Sequence, residues 1–414
     1  MSSALATRIS QEHASAAGTL PAGVIGLDRR RSALQALERQ GLPTSRDENW
    51  KYANLRSLEK VSFAPTPPSG GARHVDLPAP VAGYDRYTFV DGVFVPELSV
   101  PAGRAVQSLR ERGVASTQPT APDARFALLN ETFATDGASI RVGAGSESRL
   151  EIVFAATVGA SYPRLELHVE SGARLDLIER HIGAGNEFVN GVVDIDVGPG
   201  ASLRHYRVQQ MGARALWFDT LSATLARDAK YRLYAVSLGA LSARSTVNIQ
   251  LAGERAEVGV YAASVADLHQ SHDHFVLVEH AVPRAITEQT FRGVAAGRAR
   301  VGFNGKIVVR KDAHGTDSRQ SLRGLLAGPE AEIDVRPQLE IYTDDVKCSH
   351  GATAGKLDDD MLFYLLSRGL DREMAQRLLK WAFLEDVVAR IEVPELRRQI
   401  EQSLAGHLNE KELL

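Results

Sequence analysis

The sequence predicts a mainly β protein, with a parallel β-helix (solenoid) core flanked by α-helical N- and C-terminal regions. Three observations lead there. A short alanine-led pattern recurs six times between residues 173 and 335. A turn-prone run such as "ESG", "GPG" or "LARD" precedes each copy. Helical patterning is confined to the two ends of the chain.

Taken in order, residues 28–40, "DRRRSALQALERQ", read as a helix with Leu34 and Leu37 on one side. Gly41 and then Pro43 stop it. "TSRDENWKYANLRSL" follows, with apolar Trp50, Tyr52 and Leu55 among charges. The stretch 64–83, "APTPPSGGARHVDLPAPVAG", is rich in proline and glycine and reads as an exposed linker or loop.

The repeated stretches are "ARLDL" (173–177), "ASLRH" (201–205), "AKYRL" (229–233), "AEVGV" (256–260), "ARVGF" (299–303) and "AEIDV" (331–335). The second residue after each alanine is apolar: Leu175, Leu203, Tyr231, Val258, Val301 and Ile333. The fourth is apolar too, with His205 the exception. This is the period-two alternation of a strand. The alanines are 28, 28, 27, 43 and 32 residues apart. One strand signature per 20–50 residues marks stacked coils, each burying an apolar face only against its neighbours. Residues 140–350 therefore read as a solenoid, with Leu175, Leu203, Val258 and Ile333 expected buried, nearly in register and in one sheet. A β-sandwich with coincidental spacing is the alternative.

After Gly351 the pattern changes again. Asp358 is a good N-cap and Gly369 a good C′ residue for a helix over 358–369, and Asp371 starts another. The second helix is apolar almost all round: Leu379, Phe383 and Val387 on one side, Leu378, Trp381 and Val388 on another, with Leu384 and Ile391 between. A surface helix carries one apolar stripe. Two buried faces point either to a partner protein or to packing within its own domain. The expected organisation is an N-terminal helical region and linker (1–139), a β-helix core (140–357) and a C-terminal helical domain (358–414).

Composition excludes several classes. The formal net charge of −3 makes no electrostatic case for nucleic acid or an anionic membrane. No stretch approaches the roughly 20 apolar residues of a membrane span. The first residues lack an apolar signal-peptide core, so a cytoplasmic protein is expected. The one cysteine, Cys348, rules out an intrachain disulfide and a four-cysteine metal site built by one chain.

That cysteine lies in "IYTDDVKCSH" (341–350). On a strand, Asp344, Val346, Cys348 and His350 share one face. Cys348 and His350 would stand about 7 Å apart along it, near enough to approach one metal. Thiolate and imidazole both bind iron, zinc and copper. A closed tetrahedral site needs four ligands, so the rest would come from a second chain. The alternative is a small apolar thiol beside a surface histidine. His269, His272, His274 and His280 form a second histidine-rich stretch, but strand parity puts His269 opposite His272 and His274, which favours solvated or locally bonded rings over a metal site. There is no P-loop and no G-x-S-x-G motif. Asp344 and Asp345 face opposite ways, which disfavours the carboxylate pair of a carbohydrate-active β-helix enzyme. A cytoplasmic enzyme acting on a sugar or nucleotide-sugar is nonetheless the competing reading.

The segments "RDENWKYANL" (46–55), "HAVP" (280–283), "FNGKIVV" (303–309), "PQLEIYTDDVKCSHGATAGKLD" (337–358) and "SRGLDREMAQRLLKWAF" (367–383) together resemble the SufB/SufD family of iron–sulfur cluster assembly proteins. Ala53 departs from the threonine expected there. The resemblance implies a right-handed β-helix between helical ends. It implies a non-catalytic scaffold subunit that pairs with a SufB-like paralogue and docks a SufC-like ATPase through its C-terminal helices, with Leu379, Phe383 and Leu384 as contacts. In isolation such a chain can be a homodimer. No cofactor is held permanently. A transient iron–sulfur cluster forms at the interface, using cysteine and acid from the paralogue and a histidine that maps onto His350, beside Cys348. The paralogue normally carries more cysteines, so a lone cysteine favours the other branch of the family.

Overall fold

The computed structural model describes residues 2–66, 76–100, 106–113, 123–183 and 185–408. Seven helices are assigned among them: α1 (Ser2–Ala16), α2 (Leu27–Gln40), α3 (Leu109–Arg112), α4 (Arg125–Phe133), α5 (Asp359–Ser367), α6 (Arg372–Val388) and α7 (Pro394–His407). The strands are β1 (Asp85–Val90), β2 (Val93–Phe94), β3 (Val106–Ser108), β4 (Ala138–Val142), β5 (Glu147–Ala156), β6 (Ala160–Ser161), β7 (Arg164–Val169), β8 (Arg174–Gly183), β9 (Phe188–Val197), β10 (Ser202–Met211), β11 (Leu216–Leu225), β12 (Lys230–Gly239), β13 (Ser242–Leu251), β14 (Glu257–Ala266), β15 (Ser271–His280), β16 (Ile286–Ala295), β17 (Arg300–Val309), β18 (Thr316–Leu326), β19 (Glu332–Ile341) and β20 (Val346–Lys356).

From β5 onward the chain alternates between two sheets. One is ordered β2-β1-β5-β8-β10-β12-β14-β16-β18-β20, the other β19-β17-β15-β13-β11-β9-β7-β4-β3. Each full coil thus gives one strand of about ten residues to each sheet, and coil-to-coil pairing is parallel. Among the described residues antiparallel pairing is confined to the first end: β1 with β2, β3 with β4, and the bridge of Arg86 with Val100. The expected mainly β solenoid with terminal helices is the observed architecture. The expected core boundary at 140 falls inside β4, and β1 and β3 extend the sheets upstream of it.

Coils stack because like residues meet in columns. Leu175, Leu203, Tyr231 and Val258 are register partners and all lie buried in the space between the sheets. A fully buried leucine is worth roughly 1.5–3 kcal/mol, so each column contributes substantially. The alanines that open the coils, Ala173, Ala201, Ala229 and Ala256, are wholly buried at the corners. The "GPG" corner turns on Gly200, at φ +64°, a left-handed conformation that glycine adopts without strain.

Two details correct the repeat as read from sequence. "ARVGF" and "AEIDV" start β17 and β19, which belong to the opposite sheet. Ile333 is therefore not in the sheet of Leu175, Leu203 and Val258, and it is only partly buried. The solenoid stands because a coil has two strands, and an alanine opens strands of both sheets. The 43-residue gap hides a coil that opens at Ala285, 29 residues after Ala256 and also fully buried. Its inward positions are Thr287 and Gln289, so the apolar pattern fails there.

The terminal regions cover the two outer sheet faces. On one, Phe188, Leu216 and Phe218 pack against Trp50, Phe126, Phe133 and Tyr162. Trp50 stacks on Phe126 at 5.1 Å, donates its indole N–H to Asp123 Oδ2 at 2.6 Å, and takes the Arg244 guanidinium 4.2 Å over its ring. Leu37 is buried in the same cluster. On the other face, Tyr206, Tyr234 and Tyr261 stack at 5.0 and 5.2 Å beneath α6 and α7. Of the expected linker 64–83, residues 67–75 lie outside the described residues. The rest is anchored: Val81 is buried, and Arg86 donates to the Pro78 and Ala79 carbonyls.

Candidate functional site

Among the described residues nothing covers the solenoid's second end. β19 and β20 are the terminal strands of their sheets, and neither pairs beyond β17 and β18 among the described residues. Burial drops accordingly: residues of β17 and β18 are mostly buried, those of β19 half-buried and most of β20 exposed. Asp344 and Asp345 stand exposed in the bend before β20 and contribute no strand face.

Along β20 the expected parity holds for three residues. Val346, Cys348 and His350 align with Thr316, Ser318 and Gln320 of β18. Those columns lead inward. Cys348 continues Ser318, Thr287, Val258 and Tyr231; His350 continues Gln320, Gln289, Val260 and Leu233. Cys348 is half-buried and packs against the core, whereas His350 is exposed at the rim. Thiol and imidazole are thus brought to one face of one edge strand, over the mouth of the lumen. Among the described residues no group of three His, Cys, Asp or Glu side chains is placed to hold a metal ion. This chain alone offers two soft ligands, too few for a closed iron site.

Behind that rim the lumen turns polar. Thr287, Gln289, Ser318 and Gln320 are buried and inward-facing. Gln320 Nε2 donates to Gln289 Oε1 and to the Gly305 carbonyl across the lumen, both at 2.9 Å. His280 Nε2 pairs with Thr287 Oγ1 at 2.7 Å. The aromatic stack of Phe291 on Phe303, at 4.5 Å, lies in the apolar core around it. The glutamines escaped sequence reading; the failed apolar pattern after Ala285 is the signal that would have found them.

The second histidine-rich stretch is divided between the interior and the surface. His272, His274 and His280 are buried rather than solvated, and His269 lies exposed on a turn. His272 is bonded to Ser264 Oγ at 3.0 Å and to the Gly239 carbonyl at 2.5 Å. His205, the exception in the repeat, is buried with Nε2 2.8 Å from Glu179 Oε2 and Nδ1 3.2 Å from the Tyr231 hydroxyl. Burial would push the Glu179 carboxyl up, but Arg207, which also binds Asp219, and the bonds from His181 and His205 hold it well below the usual range.

The C-terminal helices stand as their caps foretold. Asp358 Oδ1 accepts from the Asp360 and Met361 amides, and Asp371 Oδ1 from Met374. Of the expected partner contacts, Leu384 is a correction. It is 1% exposed, packed under α6 with Val387, Val388 and Ile391, so it holds the helix on the sheet and cannot meet a partner. Phe383 is half-buried against the same cluster, and Leu379 is half-buried. The exposed apolar side chains are instead Met361, Phe363 and Tyr364 of α5 and Met374 and Leu378 of α6. The run "MLFYLL" in so short a helix carried that signal.

A β-solenoid with one open end, a thiol and imidazole at its rim and an uncovered apolar helix pair has the form of an assembly subunit. The comparisons agree. Residues 152–383 match the family model described as SUF system FeS cluster assembly, SufBD core domain. The chain is 30% identical over 378 residues to the iron–sulfur cluster assembly protein SufD of Escherichia coli (strain K12), covering 89% of each. It is 28% identical over 413 residues to a SufBD family protein of Synechocystis, covering 92% of this chain and 90% of that one. A chloroplastic protein of Arabidopsis thaliana, ABCI7, is 30% identical over 258 residues, 60% of this chain and 53% of that one. The chain belongs to the SufB/SufD family of the SUF iron–sulfur cluster assembly system and is SufD-like. Among the described residues no helix is long and apolar enough to cross a membrane.

Proposed function

We propose that this chain is a non-catalytic scaffold subunit in iron–sulfur cluster assembly, joined at its open solenoid end to a SufB-like paralogue and at α5 and α6 to a SufC-like ATPase. The observation that carries the reading is the uncovered end, where two sheets stop and present Cys348 and His350. Backbone groups of an edge strand favour pairing with another strand, so a second solenoid seated there continues both sheets. Such a partner brings the ligands that this chain lacks, and the nascent cluster is cargo shared across the joint. His350 supplies a neutral imidazole that can bind iron; Cys348, half-sunk in the core, is the lesser contributor.

The test is co-expression with a SufB-like paralogue and a SufC-like ATPase, followed by iron and sulfide analysis of the purified complex. His350→Ala should leave thermal stability within about 0.5 kcal/mol of wild type, as an exposed substitution does. Partner binding should be unchanged and cluster yield sharply lower, with a smaller loss for Cys348→Ala. If only Cys348→Ala lowers the yield, the two roles are reversed; normal yields from both refute the site.

A further inference from the structure

Gln320 lies beside His350 in the strand register, one coil deeper and in the same inward column. It is 4% exposed. Its amide is pinned at one end only: Nε2 donates to Gln289 Oε1 and to the Gly305 carbonyl of the opposite sheet. Its Oε1 is buried and has no hydrogen-bond partner. Gly305 is what makes this crossing possible, because a Cβ there would stand 2.6 Å from Gln289 Oε1 and 2.9 Å from Gln320 Nε2. An amide held by two N–H bonds cannot exchange its ends without losing both. Its carbonyl is therefore a fixed acceptor, and leaving such an acceptor buried without a donor is costly. The next polar side chain along the column, towards the open end, is His350.

We propose that Gln320 is a positioning residue for His350. When the exposed His350 ring turns inward, Oε1, which meets no donor in the structure, accepts one ring N–H; that bond fixes the tautomer and leaves the lone pair of the other ring nitrogen free for iron. Histidines that bind metals characteristically donate their second ring N–H to such an acceptor, which orients the ring and raises its basicity. The proposal rests on the reading of His350 as the cluster-site histidine, and it adds the group that presents it. Imidazole nitrogen suits iron among the first-row metals it binds.

The test uses Gln320→Leu in the full chain and in the complex with both partners. Ring 15N shifts of His350, in histidine-labelled chain above the titration range of histidine, should report one dominant tautomer in wild type and a mixture in the variant. Cluster yield in the complex should fall about tenfold, in line with the loss of other outer-shell partners. Gln209→Leu removes a buried glutamine of β10 that accepts from the Leu238 amide and makes no bond to Gln320. It should cost similar thermal stability yet leave the tautomer unchanged, which separates positioning from packing. Unmoved His350 shifts in Gln320→Leu overturn the proposal. So does normal cluster yield in that variant while His350→Ala is impaired. If His350→Ala assembles clusters normally, the parent reading falls, and the 15N shifts still decide whether Gln320 orients the ring.

Discussion

His272 and His274 sit on the inward face of β15, where no charge is welcome. Burial pushes the His272 imidazole down to about 4 against the bonds it makes to backbone carbonyls. It pushes His274 down to about 3, helped by His272 and Arg244. In the unfolded chain both rings titrate near the ordinary value of 6.5. Their neutral forms are native, so the stability they permit is complete above that value and is lost as pH falls from it towards the folded values. Each contributes a slope of about 1.4 kcal/mol per pH unit in that window. Lowering the pH from about 7.5 to about 5.5 should therefore cost about 2–3 kcal/mol from the pair, seen as a thermal midpoint lower by several degrees. His274 Nε2 has no hydrogen-bond partner, so His274→Leu should fold and lose about half of the pair's share, while His280, pushed down to about 4 by burial, keeps part of the dependence in place. An unchanged midpoint-versus-pH slope in that variant would remove the histidine from the account. At this scale sequence was a fair guide to direction and a poor one to depth. Period two correctly set Cys348 and His350 on one face. It could not say that His272 and His274 are sealed inside, since alternation names a face without saying which face is wet.

Among the elements, an alanine opens strands of both sheets: Ala201, Ala229, Ala256 and Ala285 in one, Ala215, Ala299 and Ala331 in the other. That is why "ARVGF" passed for a member of the wrong sheet, and why the coil opening at Ala285, with polar residues turned inward, went unseen. Helices α5 and α6 were legible from their caps, since an aspartate before a helix has one common use. Which face of α6 meets which neighbour was not legible, because an apolar helix surface is identical whether its own sheet or a partner covers it. The structure divides it: Leu384, Val387 and Val388 go to the sheet, while Met374 and Leu378 stay uncovered beside Met361, Phe363 and Tyr364 of α5. A patch of such residues on two adjacent helices is uncommon on a free surface. Phe363→Asp combined with Leu378→Asp should abolish pull-down of the SufC-like ATPase while circular dichroism and thermal midpoint stay close to wild type, as both side chains are exposed. Retained binding by the folded double variant would place the ATPase elsewhere.

At the scale of the molecule, the two sheets are pressed between terminal regions that meet opposite outer faces, and this four-layer order could not be read from sequence. An ion pair, Arg336 with Glu48 at 2.6 Å, joins the N-terminal cover to the open end. The two ends of the solenoid differ in kind. At the first, the sheets close on β2 and β3, strands of two and three residues set antiparallel to the rest. At the second, two strands of ten and eleven residues lie free. A rod with two such free ends would add copies without limit, as cross-β fibres do. With long free strands at one end alone among the described residues, this rod is expected to act as a chain terminator, joined once. Isolated at high concentration, it should halt at a two-copy species in sedimentation velocity. Heavier, concentration-dependent species would show that growth is not arrested by the short strands.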